Sequence, residues 1–467
     1  VVMVRKKNGT YRFAVDYRLL NKVTKPMSFP LPRLEEIFDT IGQSKASIFS
    51  VLDMASGFLQ VPLDPQTKHK SAFITHQGVY QFCNLPFGLM NSPMAFSMVM
   101  TEVLRKLNWH CALIYVDDIL VFSRNFDEHI FHLKQVFDRL RQANLKLQPP
   151  KCSFAAKRVM YLGHVISKHG IEPDMAKTNA VQSFPTPKNQ KDVRSFLGLA
   201  NYYKRFMKDF SKIVCPLYNL LKQNVKFEWT EECENAFKHL KKCLTMAPVL
   251  AFPDFDKEFR IYTDSSDYAI GFLLGQTDSE GRERVIEYGG RALHPAERKW
   301  PIKDKECLAL VEAIRKYRVY IAHHHFKVYT DHISLKWLNS LGEKSGRLAR
   351  WATFLQGYKY EIIYKPGKIH LNADSLSRRE YPIEETTAPK QQLEQAEPAV
   401  PHHDDIHDIL AIQPDIFSAE VQTQCSVDVS NTEYTHQGND EVGEGIAFHL
   451  EDPQFHFREQ SQYATSH

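Results

Sequence analysis

The sequence predicts a multidomain protein of mixed α/β and α+β class that ends in an unstructured tail. At 467 residues and 54.1 kDa, the chain is long enough for two to four domains with buried cores. Two stretches mix β-like runs with helical ones, and a helical stretch lies between them. From residue 381 onward the chain is rich in Gln, Glu, Asp and Pro and has little periodicity, which is typical of disorder or of a linker.

The first mixed stretch covers about residues 1–167. Its strand-like runs are SIFSVLDMA (47–55), ALIYVDDILVF (112–122) and RVMYLGHVIS (158–167), and its clearest helix is FDEHIFHLKQVFDRLRQANL (126–145). The run IYVDDILVF is either one buried strand or a hairpin whose turn is Asp-Asp. Both interpretations put two carboxylates within one of the most apolar segments of the chain.

The rest of the chain repeats this organisation after a helical interval. Thr186-Pro187 predicts a helix cap followed by proline in the first turn, and the helical segment 192–210 runs on from it. Further on, the sequence predicts strands over 258–275, a helix over 303–320, a strand over 325–332 and a short helix over 372–379.

Composition and charge exclude some classes of protein and favour others. No apolar run of about 18 residues is present and the N-terminus lacks the apolar block of a signal peptide, so we expect no membrane span. The eight cysteines include no Cys-x-x-Cys pair, which argues against zinc ligation and for reduced thiols inside a cell. Because the first residue is Val, we expect a fragment of a longer product.

The charge is distributed unevenly along the chain. The net charge is +4, but residues 1–380 carry 57 Lys and Arg against 38 Asp and Glu, whereas the tail carries 17 acidic and two basic residues. A basic body with an acidic tail indicates a polyanionic partner, nucleic acid first, with a solvated surface as the alternative.

One set of acids follows the strands of the first stretch. Asp53 ends the run FSVLD, and Asp117 and Asp118 interrupt the run IYVDDILVF. Two carboxylates about 4 Å apart repel by roughly 4 kcal/mol at an effective dielectric constant of 20. Clustered acids of this kind suit Mg²⁺, and a pair of ions can activate an attacking 3′-hydroxyl and stabilise a leaving pyrophosphate. The alternative is two hairpin turns that carry Asp for its turn propensity.

A second set of acids occupies the C-terminal stretch. Asp264 and Asp331 lie at strand-like runs, Glu306 lies on an amphipathic helix and Asp374 begins a short helix. If the two strands are neighbours, the four acids can converge and bind two Mg²⁺ ions. The alternative for each acid alone is a surface position.

A series of motifs in the first 380 residues resembles a known family. The motifs are YRFAVDYRLLNK, FSVLDMASGFLQVPL, YQFCNLPFGLMNSPMAF, YVDDILVFS, YLGHVIS and VRSFLGLANYYKRF, in that order. The chain resembles the reverse transcriptase–RNase H segment of gypsy-class long-terminal-repeat retrotransposon polyproteins and, more distantly, of retroviruses. TDSSDYAIG, KECLAL, YTDH and NADSLSR resemble the four acidic motifs of RNase H.

The resemblance implies a fold and an activity. It implies a right-hand polymerase, with fingers (incomplete at the N-terminus) and palm over 1–167 and a helical thumb or connection over 168–244. An RNase H-like mixed-sheet domain over 245–380 and an acidic, disordered tail or linker over 381–467 complete it. The implied activities are RNA- and DNA-directed DNA synthesis from dNTPs, and hydrolysis of the RNA strand of RNA–DNA hybrids. Each site would use two Mg²⁺ ions, with Mn²⁺ as a substitute.

The resemblance also assigns residues. The catalytic and metal-binding acids are Asp53, Asp117 and Asp118 for polymerisation, and Asp264, Glu306, Asp331 and Asp374 for RNA hydrolysis. The nucleotide-binding residues are Lys6, Lys7, Arg12, Phe58, Phe87 and Gly88, of which Phe58 would exclude a 2′-hydroxyl; a core aromatic is its alternative. The nucleic-acid-binding residues are Tyr161, Leu162, Gly163, Arg194, Gly198, Tyr202, Lys204 and Arg205. Helix–helix packing is the alternative reason for Gly198.

The implied partners are an RNA template, a DNA primer, the RNA–DNA hybrid and dNTPs, with no membrane. Other segments of a polyprotein, a protease and an integrase, are further expected partners, and the implied location is intracellular, in a cytoplasmic virus-like particle or the nucleus. Two other functions stay open. The chain could be a decayed or domesticated nucleic-acid-binding protein, or an assembly scaffold that works through its acidic tail.

Overall fold

The computed structural model of this chain describes residues 1–5, 9, 11–223, 225–332 and 346–365. Within them, two sheet-centred regions are joined by a helical region, as the sequence predicted. The predicted helix over 372–379 and the tail from residue 381 lie outside the described residues. No helix in the described part of the chain is long and apolar enough to cross a membrane.

The first region is built around an antiparallel sheet of four strands. Before it come a hairpin of β1 (Val2–Arg5) and β2 (Tyr11–Ala14) and the helices α1 (Arg18–Val23) and α2 (Leu34–Ser44). There follow β3 (Ile48–Asp53), β4 (Phe73–Thr75), β5 (Gly78–Tyr80), α3 (Ser92–Val103), β6 (Ala112–Tyr115), β7 (Asp118–Ser123), α4 (Phe126–Gln142) and β8 (Ser153–Ala156). Short 3-10 turns cover Gly57–Gln60, Lys68–Ser71 and Pro149–Lys151. The strand order in the sheet is β6-β7-β3-β8, with β4 and β5 in a separate hairpin.

A small three-stranded sheet follows and corrects one prediction. It consists of β9 (Arg158–Tyr161), β10 (His164–Ser167) and β11 (Gly170–Pro173) in the order β11-β10-β9. The run 158–167, predicted as one strand, is therefore a hairpin. Its turn residues Leu162 and Gly163 both have positive φ, +46° and +69°, as a two-residue type I′ turn requires.

The helical region comprises α5 (Met175–Gln182), α6 (Gln190–Tyr202), α7 (Phe210–Ile213), α8 (Cys215–Asn219) and α9 (Glu231–Thr245), with a 3-10 turn at Lys204–Phe206. The predicted cap at Thr186 is wrong, because α6 begins later. Its N-cap is Asn189, whose side-chain oxygen accepts a hydrogen bond from the backbone N–H of Asp192 at 3.0 Å.

The last region contains a mixed sheet of five strands. Its elements are β12 (Phe259–Ser265), β13 (Ala269–Thr277), β14 (Glu283–Ala292), α10 (Pro295–Arg298), α11 (Ile302–Ile321), β15 (Phe326–Thr330), α12 (Arg347–Leu355) and β16 (Tyr360–Tyr364). The strand order is β14-β13-β12-β15-β16, and β15 runs parallel to both of its neighbours.

Both faces of this five-stranded sheet are covered. Ile261 and Leu274 point to one face and pack with α11 and α12 in one hydrophobic core. Tyr262 and Leu273, their neighbours along the strands, belong to a core shared with the helical region and with the first sheet. The alternation follows from the two-residue period of a strand. The three regions therefore pack around a common core, and the described residues hold two further contiguous cores.

Candidate active sites

The segment IYVDDILVF forms the β6–β7 hairpin, so the hairpin interpretation is correct. Tyr115 pairs with Asp118, which leaves Val116 and Asp117 as the turn. Val116 adopts φ +56°, a left-handed conformation that a β-branched residue rarely adopts. Ile114 and Ile119, on the two arms, are 5% and 0% exposed. The apolar arms therefore fix the position of the turn and of its two carboxylates.

The third acid of this set lies on the neighbouring strand. β3 runs antiparallel to β7, and Asp53 pairs with Asp118 at the last position of their register. Asp53 and Asp118 are part-buried, and Asp117 is exposed on the turn. The structure thus brings Asp53, Asp117 and Asp118 to one end of the four-stranded sheet, as the sequence predicted.

This arrangement raises the pKa of Asp118. Burial, followed by the negative charges of Asp117 and Asp53, raises it to about 6, and the ammonium of Lys151 acts in the opposite direction. Each neighbouring carboxylate disfavours a further negative charge at this end of the sheet. A bound cation would remove that repulsion, and carboxylate oxygens are the ligands that Mg²⁺ prefers.

Two residues of the site were missed by the sequence reasoning. Lys151 lies at the end of the 3-10 turn Pro149–Lys151, and its Nζ is 3.2 Å from Oδ1 of Asp53. Cys152 follows, and the backbone N–H of Asp53 donates to its Sγ at 3.4 Å. Burial raises the pKa of the Cys152 thiol to about 11, so this sulfur stays protonated near neutral pH. The only sequence signal for this contact was Pro149-Pro150, which indicates a turn but no partner for it.

Phe58 follows the strand of Asp53 in the turn Gly57–Gln60. Its ring centroid lies 5.2 Å from that of Phe87 and 5.4 Å from that of Phe96, and its side chain is part-exposed. The ring therefore packs against the core on one side and contacts solvent on another. Gly88 adopts φ +100°, and a Cβ there would lie 3.3 Å from the carbonyl oxygen of Val15.

The predicted basic residues of the nucleotide site are described only in part. The backbone of Arg12 lies in β2 and pairs with Val4. The Arg12 side chain, Lys6 and Lys7 lie outside what the structure describes.

The β9–β10 hairpin packs against the β6–β7 hairpin that carries Asp117 and Asp118. Tyr161 is 1% exposed, and its Oη lies 3.4 Å from the carbonyl oxygens of Leu113 and Asp118. Its side chain therefore supports the β6–β7 hairpin and is not exposed to a ligand, which contradicts the prediction that this side chain contacts nucleic acid. The backbone of the turn, Leu162 and Gly163, is held from the other side: Tyr202 donates to Leu162 O at 2.5 Å and Tyr203 to Gly163 O at 2.8 Å.

Helix α6 presents Gly198 to the outside. Val193, Phe196, Leu197 and Ala200 form its buried face, whereas Gly198 is exposed. A Cβ built on Gly198 meets no heavy atom within 4 Å among the described residues. Helix–helix packing in this part of the chain therefore does not explain the glycine.

The basic residues near this helix divide into two groups. Arg194 is exposed on α6, with Nη2 3.3 Å from Oε1 of Gln190, and Lys204 is exposed in the next turn. Arg205 is only 9% exposed, and its guanidinium lies 5.1 Å from the ring centroid of Phe38. The prediction that Arg205 contacts phosphate is therefore wrong for this structure, because the side chain packs between α2 and the helical region.

The second set of acids converges at the edge of the five-stranded sheet. Asp264 lies near the end of β12 and Asp331 directly follows the parallel strand β15, so both lie at the same edge. Glu306 reaches them from α11. One carboxylate oxygen from each of the three lies within 4.8 Å of the other two. The fourth predicted acid, Asp374, lies outside the described residues.

The electrostatics of these three acids suit a divalent cation. Burial is the main cause that raises the pKa of Glu306, to about 7, and the charges of Asp264 and Asp331 add to it. The side chain of Asp264 still contacts solvent, but its partial burial against the sheet, followed by the charges of Asp209 and Asp331, raises its pKa. Ser265 donates to Oε1 of Glu306 at 2.6 Å, but the buried Oε2 has no hydrogen-bond partner. An orphaned carboxylate oxygen beside two other carboxylates fits a hard metal ion.

Two families of known proteins match the two sheet-centred regions. Residues 4–166 match "Reverse transcriptase (RNA-dependent DNA polymerase)", and residues 254–358 match "RNase H-like domain found in reverse transcriptase". Each match contains one of the acid sets described above. Asp374 lies beyond the second matched range.

Whole-protein relatives show the same family, and solved structures show the same fold. The retrovirus-related Pol polyprotein from transposon 297 of Drosophila melanogaster is 38% identical over 371 residues, which are 79% of this chain and 34% of the relative. The chain thus spans about a third of the length of that relative. The foamy viral protease–reverse transcriptase in complex with double-stranded DNA has the same fold, with a TM-score of 0.67 at 23% identity over 78% of this chain and 77% of that chain. The same viral protein in complex with an RNA/DNA hybrid gives a TM-score of 0.61 at 22% identity, over 83% and 52%. This chain therefore belongs to the reverse transcriptase–RNase H region of retrovirus-related Pol polyproteins of long-terminal-repeat retrotransposons.

Proposed function

We propose that this chain extends the 3′-hydroxyl of a DNA primer with dNTPs on RNA and DNA templates, and hydrolyses the RNA strand of the resulting hybrid. The observation that carries the proposal is the presence of two separate carboxylate clusters, each at the end of a sheet and each within a matching family domain. We assign fingers and palm to residues 1–167, a thumb to 168–244 and an RNase H-like domain to 245–380.

In the polymerase site, Asp53, Asp117 and Asp118 would hold two Mg²⁺ ions, with Mn²⁺ as a substitute. Such ions lower the pKa of a primer hydroxyl and neutralise the charge on a departing pyrophosphate. The hairpin holds Asp117 and Asp118 in place, and Lys151 neutralises Asp53 until substrate and cations arrive. The part-exposed ring of Phe58, backed by Phe87, would leave no room for a 2′-hydroxyl and so favour deoxynucleotides.

In the ribonuclease site, Asp264, Glu306 and Asp331 would hold the cations, with Asp374 as the fourth ligand. Ser265 orients one oxygen of Glu306, and the other has no hydrogen-bond partner within the described residues and would be free to bind a cation. Asp264 and Asp331 are exposed, so the scissile phosphate has access from solvent. Restriction of cleavage to RNA would follow from contacts with its 2′-hydroxyls and from the shape of the hybrid.

The path of the duplex between the two sites would follow α6. Gly198 offers an exposed surface without a side chain, to which the minor groove can approach closely, and Arg194 and Lys204 can contact phosphates. Tyr202 supports the Leu162–Gly163 turn, where we place the primer terminus. Because the relatives are polyproteins, we expect this chain to have neighbouring segments, a protease and an integrase, and to be located in an intracellular virus-like particle or the nucleus.

Primer extension on an RNA template tests the polymerase part. We expect a 5′-labelled DNA primer to be extended in Mg²⁺ and dNTPs, and the Asp117→Asn chain to lose at least 1,000-fold in rate. Asp117 is exposed, so its replacement should leave the fold intact, and Asp127→Asn, on the exposed first turn of α4, is the matched control. DNA synthesis no faster than that of Asp117→Asn would contradict the proposal and favour the decayed, nucleic-acid-binding alternative.

A further inference from the structure

A cavity of about 430 Å³ lies between α11 and α12 in the RNase H-like region, and none of the clustered acids lines it. It is lined by two indoles and three guanidiniums: Trp300, Arg315, Arg347, Arg350 and Trp351. A volume of this size is within the range of sites that hold a small molecule or one nucleotide of a strand. Nothing in the reactions proposed above uses these residues.

The guanidiniums carry more positive charge than their partners neutralise. Arg347 pairs with Asp304, and Arg315 pairs with Glu312, which Arg291 also approaches at 3.8 Å. Arg350 is exposed on α12 and has no ion pair within the described part of the chain. The cavity is therefore electropositive and presents one guanidinium that is available to an anion.

Two buried polar atoms beside the cavity lack partners. Nε of Arg347 and Oδ1 of Asp304 are both buried and make no hydrogen bond. Asp304 is 5% exposed and lies on α11 two residues before Glu306. An unpaired buried donor costs free energy unless a ligand or a water satisfies it. A phosphate oxygen that enters beside Arg347 would satisfy this donor.

The aromatic walls restrict the ligand further. The guanidinium of Arg347 stacks on one face of Trp300, 3.6 Å from the ring centroid, which leaves the opposite face of this indole for a ligand, and the Trp300 and Trp351 rings are 5.9 Å apart at 54°. Trp300 is part-exposed, whereas Trp351 is only 9% exposed. Indole faces beside cationic groups bind nucleobases by stacking, with about 1–3 kcal/mol per base. An acidic peptide would use the charge but not the flat aromatic surface.

We propose that this cavity, which we call the Trp–Arg cavity, binds one nucleotide of a single-stranded nucleic acid, with its base on the face of Trp300 that Arg347 does not cover and its phosphate on Arg347 and Arg350. The proposal rests on the proposed function, because α11 carries both Asp304 beside the cavity and Glu306 in the ribonuclease site. A strand held there would be one that continues beyond the hybrid engaged at the acids. Arg347 is oriented for this contact by Asp304.

Photocrosslinking tests the site without interference from the polymerase cleft. The full chain is mixed in EDTA with a 12-nucleotide DNA that contains 5-iodouracil and is irradiated, and the tryptic peptide 300–303 is examined by mass spectrometry. We expect an adduct on Trp300 that falls at least fivefold in Arg350→Glu and in the milder Arg350→Gln. Arg318→Glu is the matched control, since Arg318 is an exposed arginine of α11 outside the cavity; it should keep the full adduct.

The results separate this proposal from the proposed function. Cleavage of a blunt RNA–DNA hybrid and primer extension, followed in the same preparations, report on the two reactions. We expect cleavage of the blunt hybrid to change less than twofold in either Arg350 variant. No adduct on Trp300, an adduct unchanged in Arg350→Glu, or full displacement of the DNA by a glutamate-rich peptide of equal charge would overturn the site. If the wild-type chain neither cleaves the hybrid nor extends the primer but still forms the Trp300 adduct, the proposed function alone would be overturned.

Discussion

The two acid clusters of this chain both consist of carboxylates at the end of a sheet, but they differ in how far their negative charge is neutralised by the protein. In the four-stranded sheet, Asp53 pairs with the ammonium of Lys151, and Asp117 extends into solvent on a tight turn. In the five-stranded sheet, Glu306 is 3% exposed, and one of its oxygens has no partner within the described residues. The first cluster is thus partly neutralised by a side chain of the protein, whereas the acids of the second cluster have no such cation among their hydrogen bonds and ion pairs in the described ranges.

This difference indicates what each site costs the fold. A buried and unpaired carboxylate destabilises the protein unless it is protonated or binds a cation. The raised pKa of Glu306, about 7, has this cause. In the first cluster, Asp117 on the β6–β7 turn stays in contact with water, so its negative charge destabilises the fold less. The two sites should therefore respond differently to neutralisation, to pH and to Mg²⁺.

The largest expected effect is that of Glu306→Gln. We expect hybrid cleavage to fall at least 1,000-fold while primer extension changes less than twofold. Because ionised Glu306 is unfavourable in the fold, the variant should gain about 2 kcal/mol in unfolding free energy at pH 8 in EDTA. Asp117→Asn, at an exposed position, should change stability by less than about 0.5 kcal/mol. Urea denaturation measures both, and equal stability changes in the two variants would remove the contrast.

A smaller effect on stability is expected at the contact between the first region and the RNase H-like region. Tyr320 of α11 donates to Oδ1 of Asp39 on α2 at 3.2 Å, and burial is the main cause that raises the pKa of Asp39 to about 7. For an acid with a raised folded-state pKa, the stabilising contribution is complete below pH 4 and is lost as the pH rises through 7. The unfolding free energy of Asp39→Asn, relative to that of the wild type, should therefore rise by about 2 kcal/mol from pH 5 to pH 8. Urea denaturation at the two pH values measures this change. A difference between the two proteins that stays constant with pH would refute this explanation.

The smallest effect concerns Lys151. Its ion pair with Asp53 is largely exposed, and such pairs contribute roughly 0.2–1 kcal/mol. Because the ammonium competes with cations for Asp53, Lys151→Ala should lower the half-saturating Mg²⁺ concentration of primer extension about threefold. Lys151→Arg, which keeps the charge, should shift it less, and the Mg²⁺ dependence of hybrid cleavage should not move. A higher half-saturating concentration in Lys151→Ala would contradict the competition.

Local sequence patterns predicted most of the elements that carry the acids. The apolar arms on both sides of Asp117 and Asp118 indicated a buried hairpin, and the helical period over 303–320 placed Glu306 on α11, which covers Ile302–Ile321. These predictions succeeded because burial sets both the period and the position of the acid. The hairpin at Leu162–Gly163 was missed because leucine gives no local signal for the positive φ that the packing imposes.

Contacts between distant segments were less accessible to sequence reasoning. Arg205 looked like a phosphate ligand in a basic helix, but its guanidinium packs over Phe38, which lies 167 positions earlier in the chain. Lys151 likewise reaches Asp53 across 98 positions. Neither contact can be predicted from the periodicity of the sequence, since each depends on how α2, β3 and the helical region pack together. The four acids of the second cluster were predicted as a set, and the structure brings together the three that it describes.

The central claim is that one chain carries two separate metal-dependent active sites. The most direct test follows both reactions at once, with a DNA primer and an RNA template that carry different labels, in wild-type, Asp118→Asn and Glu306→Gln chains. We expect Asp118→Asn to cleave a preformed hybrid at the wild-type rate without extending the primer. We expect Glu306→Gln to extend the primer and leave the RNA intact. Loss of both reactions in either variant, with the protein folded, would show that the clusters are not independent sites.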